Sequence, residues 1–157
     1  MAEQDRHILM IFADKIKDKS NCSSRHIGCL IVSKQMYILS SGANITPNPY
    51  CVFIGCHKEA MGAKHGEHSI YCDSQHAEEV ATKLLKIKIS EEELEDLKPL
   101  TAVMTCGYPC RFCLEELINA GITRLILGSD VFYNEEDKNA WETKYKDKFT
   151  DVWICPI

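Results

Sequence analysis

What this chain lacks narrows it first. No apolar run approaches the roughly 20 residues that a membrane-spanning helix needs. The opening stretch MAEQDRHILMIF carries acidic residues and has neither the long apolar core nor the cleavage site of a secretion signal. There is no basic run and no interleaving of basic with aromatic residues, and the formal net charge is -5, which argues against a protein that grips polymeric nucleic acid by its phosphates. Internal repeats, low-complexity segments and a readable triphosphate-binding motif are also missing. The expectation is a cytoplasmic protein with a small-molecule substrate and no membrane or polymeric nucleic-acid partner.

With 157 residues, 45% of them hydrophobic and 26% charged, the chain reads as one globular domain over 1–157. It holds nine cysteines, an odd number, which fits an extracellular disulfide framework poorly. In a reducing compartment clustered thiols bind metal or pack in the core. Cys29 and Cys155, inside apolar strand-like runs, read as core.

Ile8, Phe12 and Ile16, with Leu9 and Ile11, recur at helical spacing and predict a first amphipathic helix over 3–18. HIGCLIVS and MYILSSGA form a β-hairpin pattern. Residues 44–75 make a long irregular Cys/His-rich insertion loop, a length that calls for a function or a cross-link. A helix from about Gln75 to Lys86 and a short acidic helix follow. The strand LTAVMTC, the helix CRFCLEELINAG, the strand TRLILG, the helix NEEDKNAWETKYK and the strand DVWICP complete the chain. An opening hairpin followed by alternating strands and helices predicts an α/β sandwich with a mixed sheet.

The stretch SQHAEEVATKLL puts His76 two residues before Glu78 at a helix start. It reads either as a helix end capped by Ser74, its acidic residues favoured by the macrodipole, or as half of a reaction centre. The segment YPCRFCLEEL places Cys110 and Cys113 at i and i+3 at another helix start, where both sulfurs share a face and are favoured as thiolates. Alone, that pair is equally readable as core packing.

Together the two segments say more. If both helix starts meet at one edge of the sheet, His76, Cys110 and Cys113 supply one nitrogen and two sulfurs to a tetrahedral ion and leave a position for water. Zinc suits that donor set, being borderline-soft and redox-inert. Glu78 is better placed beside the open position than on the metal, where a carboxylate can take a proton from water and pass it on. The chemistry implied is attack of hydroxide on an electron-poor ring carbon with an amine leaving.

The ordered pair HAE and PCRFC resembles the H-x-E and P-C-x-x-C signature of zinc-dependent cytidine and deoxycytidylate deaminases. The likeness to deoxycytidylate (dCMP) deaminases spans about residues 7–133. SNCSSRHIGCLIV and GANITP are similar to that family's N-terminal pattern and turn, and CVFIGCHKE with GEHSIYCDSQHAE resembles the cysteine-bearing loop of many bacterial and viral members. INAGITRLILGSDVFY is similar to the segment that joins the metal helix to an aromatic near the base.

The resemblance implies a cytidine deaminase-like three-layer α/β/α sandwich with a central mixed sheet of about five strands. It also implies a hydrolase acting on an amidine C–N bond, in pyrimidine nucleotide metabolism, that converts dCMP to dUMP. Metal-bound hydroxide attacks C4, with Glu78 as proton shuttle to N3 and to the departing ammonia. Backbone groups near Ala77 and from Gly107 to Cys110 hold the base edge. Asn44 and Arg25 carry over as sugar and phosphate contacts, and Tyr108 and Tyr133 as residues that pack on base or sugar. For Arg25 an ordinary surface charge, and for the tyrosines ordinary packing, are the competing readings. A homo-oligomer, dimer or hexamer, is implied too.

Val80, Ala43, Ile45 and Cys106 depart from the family pattern without touching the ligands or Glu78. They leave the reaction type standing and the exact cytosine-containing substrate, nucleotide, nucleoside or base, open. In the insertion loop Cys51, Cys56 and Cys72 form a possible second, structural zinc site, its fourth ligand open among His57, His65 and His68 with His68 the choice; three unpaired thiols are the alternative. From a different functional class, the chain could be a non-catalytic structural zinc module for protein interaction, in which Glu78 would be dispensable.

Overall fold

A computed structural model describes residues 1–64 and 72–157. One five-stranded sheet organises them, with strand order β2-β1-β3-β4-β5, where β1 is Gly28–Val32, β2 Ile38–Ala43, β3 Leu100–Met104, β4 Ile122–Leu127 and β5 Asp151–Ile154. β1 runs antiparallel to both β2 and β3, while β3, β4 and β5 are mutually parallel. The expected hairpin and mixed sheet are both present. Parallel neighbours need a crossover on a face of the sheet, and the helices α6 (Arg111–Asn119) and α7 (Glu135–Ala140) lie in the two connections. α7 continues into a π-helical turn, Trp141–Tyr145, whose two end residues are buried.

All five residues of β1 and of β3 are buried, the pattern of strands covered on both faces. Leu30, Val32, Val103 and Ile126 point to the layer of α1 (Glu3–Ile16). Cys29, Ile31, Ala102, Met104, Leu125 and Leu127 face the other layer, with Ala77, Ala81 and Leu85 of α4 (Ala77–Lys88), Leu114 and Leu117 of α6, and Trp141. This is the three-layer sandwich the resemblance implied. Cys29 and Cys155 are core residues, as their apolar surroundings suggested.

The buried stripe of α1 differs from the expected one. Leu9, Met10 and Ala13 face the sheet, while Ile8, Ile11 and Phe12 are 39%, 55% and 47% exposed. This helix carries two overlapping apolar stripes, and periodicity cannot say which of them the sheet selects.

The insertion is also more regular than its sequence suggested. Its described residues hold two short helices, α2 (Pro49–Phe53) and α3 (His57–Ala60). Asn48 caps α2 by accepting a hydrogen bond from the Tyr50 amide at 3.0 Å, and Pro49 occupies the first turn, where its missing N–H costs nothing. Both helices are too short to show a period. The insertion is closed at its neck, where Ile45 and Gln75 exchange backbone hydrogen bonds of 3.1 and 2.7 Å. The acidic helix α5 (Glu91–Leu97), capped by Ser90, leads to β3. No helix among the described residues is long and apolar enough to cross a membrane.

Register fixes which ends of the strands meet. Gly28 at the start of β1 lies opposite Ala43 at the end of β2, Cys29 opposite Met104, and Met104 beside Leu127. The segments 20–27, 44–46, 105–110 and 128–134 therefore share one edge of the sheet. α4 reaches the same edge because Gly42 lets it come close: a Cβ there would sit 2.6 Å from the Ala77 carbonyl oxygen.

Candidate metal centre and active site

His76 and Cys110 are the residues that immediately precede α4 and α6, both with extended backbone (φ -73°, ψ 154° and φ -65°, ψ 161°). That conformation turns each side chain out of its helix. His76 itself occupies the cap position and no side chain caps the helix, so Ser74 does not play the part its sequence position suggested. Cys113, one turn into α6, lies on the same side as Cys110.

The three side chains converge. His76 Nδ1 is 3.3 Å from Cys113 Sγ and 3.7 Å from Cys110 Sγ, and all three donor atoms lie within 4.8 Å of one another. Tetrahedral zinc bonds of standard length put a nitrogen and a sulfur roughly 3.6 Å apart, so the spacing fits that ion. Among the described residues this is the one set of three or more potential ligands so gathered. Cys51 is buried, Cys56 half-buried and Cys72 exposed, and they do not form such a group; His65 and His68 lie outside the described residues.

Protons at the cluster are unevenly held. Its hydrogen bond to Cys110, against the opposing effect of burial, raises His76 to about 9. Cys110 is lowered to about 4, first by the hydrogen bond from Cys113 and then, against burial, by the one from His76. The same link to Cys110, followed by burial, pushes the Cys113 thiol up. A divalent cation binds deprotonated donors and so displaces such protons.

Glu78, in the first turn of α4, is 1% exposed, and among the described residues neither carboxylate oxygen is paired with an N–H or O–H donor, the Cys113 thiol lying beside it. Burial pushes its carboxyl above the ordinary carboxylate range, with the His76 charge pulling the other way. A buried carboxylate without an N–H or O–H donor is costly. Its persistence beside three metal-type ligands fits a site completed by an ion and a proton-bearing partner.

Next to the cluster is a cavity of about 240 Å³ lined by Arg25, Cys106, Gly107, Tyr108, Ser129, Val131, Phe132 and Tyr133. Two loops form its wall, joined by the Tyr108 amide donating to the Val131 carbonyl at 2.9 Å. Gly107 permits this contact, since a Cβ there would sit 2.1 Å from that carbonyl oxygen. Tyr133 connects cavity and cluster. Its ring lies 6.1 Å from the His76 ring, near-parallel at 19°, and the Arg25 guanidinium sits 4.7 Å from its centroid.

The sequence-derived candidates thus have different positions. Arg25, Tyr108 and Tyr133 line the cavity, although Tyr108 is also packed face to face on Phe132 at 4.2 Å and against Trp141. Asn44 is engaged internally. Its Oδ1 accepts from the Ile27 amide and its Nδ2 donates to the Arg25 carbonyl, both at 2.8 Å, so it braces the segment before β1 that carries Arg25. Cys106, read from sequence as a departure from a pattern, is a wall residue, as are Ser129, Val131 and Phe132. The last three carry no chemical signature, and only the aromatic pair after β4 hinted at them.

The comparisons with known proteins agree with this arrangement. The family model described as "Cytidine and deoxycytidylate deaminase zinc-binding region" matches residues 3–129. A deoxycytidylate deaminase of Saccharomyces cerevisiae is 30% identical over 149 residues, covering 90% of this chain and 44% of that protein, so the chain spans less than half of this relative's length. The fold is shared with the dCMP deaminase of cyanophage S-TIM5 solved in complex with dCMP and dUMP, at a TM-score of 0.69 and 20% identity over 99% of both chains. It is shared as well with a Thermotoga maritima diaminohydroxyphosphoribosylaminopyrimidine deaminase/reductase, at a TM-score of 0.63 and 18% identity over 97% of this chain and 36% of that one. With the family model covering most of the chain, including the His76, Glu78, Cys110 and Cys113 positions, the protein belongs to the cytidine and deoxycytidylate deaminase family.

Proposed function

We propose that this chain is a zinc-dependent hydrolase that converts dCMP to dUMP with release of ammonia. The observation that carries the reading is Glu78: a buried carboxylate with no N–H or O–H donor among the described residues, beside the gathered donors of His76, Cys110 and Cys113. A zinc ion bound by those three residues would supply Lewis acidity that brings the pKa of water toward neutrality. Glu78 takes a proton from the attacking water, returns it to ring N3 as C4 becomes tetrahedral, and carries another to the departing amine. Its burial, which raises its proton affinity, suits a group that must both accept and give.

The rest of the site bears on the substrate. Tyr133 offers a ring face to the base or sugar, and the loop at Gly107 to Cys110 offers backbone groups to the base edge. No carboxylate among the described residues pairs with Arg25, whose guanidinium can grasp a phosphate with parallel hydrogen bonds. That cation favours a nucleotide over a free nucleoside. The name of the yeast relative, a deoxycytidylate deaminase, points the same way. Asn44 serves the substrate chiefly by bracing Arg25. The same reading carries a cytoplasmic location and a homo-oligomer, whose interface would cover exposed apolar side chains such as Phe12 and Phe112.

The test is ammonia release by the purified chain from dCMP, CMP, deoxycytidine, cytosine and guanine, alongside a zinc count. Preferential release from dCMP with one zinc per chain supports the reading. A second zinc, lost on replacing Cys51, Cys56 or Cys72, adds the structural site in the insertion with His68. Zinc binding without release from any substrate leaves a structural zinc module instead.

A further inference from the structure

Cys110 immediately precedes α6 and Cys113 lies in its first turn, so the aim of both depends on where that turn begins. No side chain of the Cys110 cap position holds it. The amide of Arg111, the first residue of α6, instead donates to Asp137 Oδ1, 3.2 Å away on the first turn of α7. The Arg111 guanidinium donates to the same oxygen, also at 3.2 Å. Asp137 is 1% exposed, and its own amide is fixed by donating to Asn134 Oδ1 at 2.8 Å. Glu136 reaches the same guanidinium at 2.9 Å, but its side chain is 77% exposed, where an ion pair contributes little.

We propose that Asp137 is the positioning residue of the metal-binding turn: by holding the Arg111 amide it sets the start and rotation of α6, and with them the aim of both cysteine sulfurs at His76. The proposal rests on the zinc reading above and goes beyond it, since the hydrogen bonds of Asp137 to Arg111 and Asn134 involve residues outside the proposed ligand set. The first N–H groups of a helix have no partner inside it, and an anion there also meets the positive end of the helix dipole. Cys110 is covalently next to the amide that Asp137 holds. Removing this acceptor frees the turn to shift and leaves the half-buried Arg111 amide to find a new partner, while the guanidinium keeps Glu136. Groups that orient metal ligands without binding the ion typically change affinity by about 10- to 100-fold when replaced.

The experiment compares zinc-loaded wild-type chain with Asp137→Ala, Asp137→Asn and Glu136→Gln. It measures zinc release to a chromogenic chelator and the melting temperature of zinc-free and zinc-loaded forms. Asp137→Ala is expected to release zinc at least about tenfold faster and to show a smaller zinc-induced rise in melting temperature. Asp137→Asn, which keeps an oxygen for the Arg111 amide, recovers part of both, and Glu136→Gln behaves as wild type. Equal loss of melting temperature in both forms, with wild-type zinc release, would make Asp137 a residue of the fold only and overturn the proposal. If Asp137→Ala does not fold, a wild-type release rate in Asp137→Asn overturns it. A wild-type chain that takes up no zinc removes the deaminase reading as well, a result distinct from either.

Discussion

The His76 imidazole and the Tyr133 ring lie nearly parallel, 6.1 Å between centroids, and Arg25 covers Tyr133 from 4.7 Å. One line of aromatic and cationic groups thus runs from the His76, Cys110 and Cys113 cluster to a guanidinium in the cavity wall that pairs with no carboxylate among the described residues. In the proposed function the two ends of that line have different tasks, chemistry and phosphate recognition, and separate tests follow.

Arg25→Ala is expected to lower kcat/KM for dCMP by about tenfold to a hundredfold, the loss of charge-assisted hydrogen bonding, chiefly through KM. The same variant should treat deoxycytidine as wild type does. Equal losses on both substrates would show that Arg25 maintains the cavity and does not read the phosphate.

Glu78→Gln should cut turnover by about two to four orders of magnitude while zinc content stays unchanged. Because burial raises the Glu78 pKa, its contribution to stability is present at low pH and is lost as pH rises through the raised value. The neutral amide removes that loss, so zinc-free Glu78→Gln should unfold no earlier than wild type at neutral pH. Retained activity refutes the catalytic assignment, and early unfolding refutes the electrostatic one.

Zinc uptake should release protons. At pH 7 His76, raised to about 9, and Cys113, pushed upward, both carry a proton, whereas Cys110, lowered to about 4, does not. About two protons are therefore expected per zinc, and affinity should climb with pH between 7 and 9. Calorimetry in buffers of different ionisation enthalpy counts them; an affinity independent of pH in that range contradicts the assignment.

Gly107→Ala places a Cβ against the Val131 carbonyl and must part the two loops of the cavity wall. A loss of about 1–3 kcal/mol in urea unfolding is expected, together with slower turnover of dCMP. Gly55→Ala is the control, since nothing lies within 4 Å of a Cβ there. Similar behaviour of the two variants would show that the loops separate freely.

The gathering of His76, Cys110 and Cys113 beside Glu78 was legible in sequence because metal chemistry restricts residue type and spacing at each helix start. The strands were legible because the core strands are buried on both faces and read as unbroken apolar runs, such as GCLIV. Other features depend on contacts distant in sequence. Which stripe of α1 is buried depends on the sheet it meets, and α2 and α3 are too short to be periodic. Asn44 shows the same limit, since its two backbone partners lie in the segment before β1. Cys106 and Val131 became wall residues only once Gly107 had brought their loops together.

The paired amides and carbonyls of Ile45 and Gln75 make the insertion leave and rejoin the sheet edge at a single point. Beyond that clasp the insertion touches the same edge again, where the Ser24 hydroxyl donates to Glu59 of α3 at 3.0 Å, one residue before Arg25. Gln75 is the direct neighbour of His76, so prising the clasp open would tug on the imidazole before any other part of the machinery.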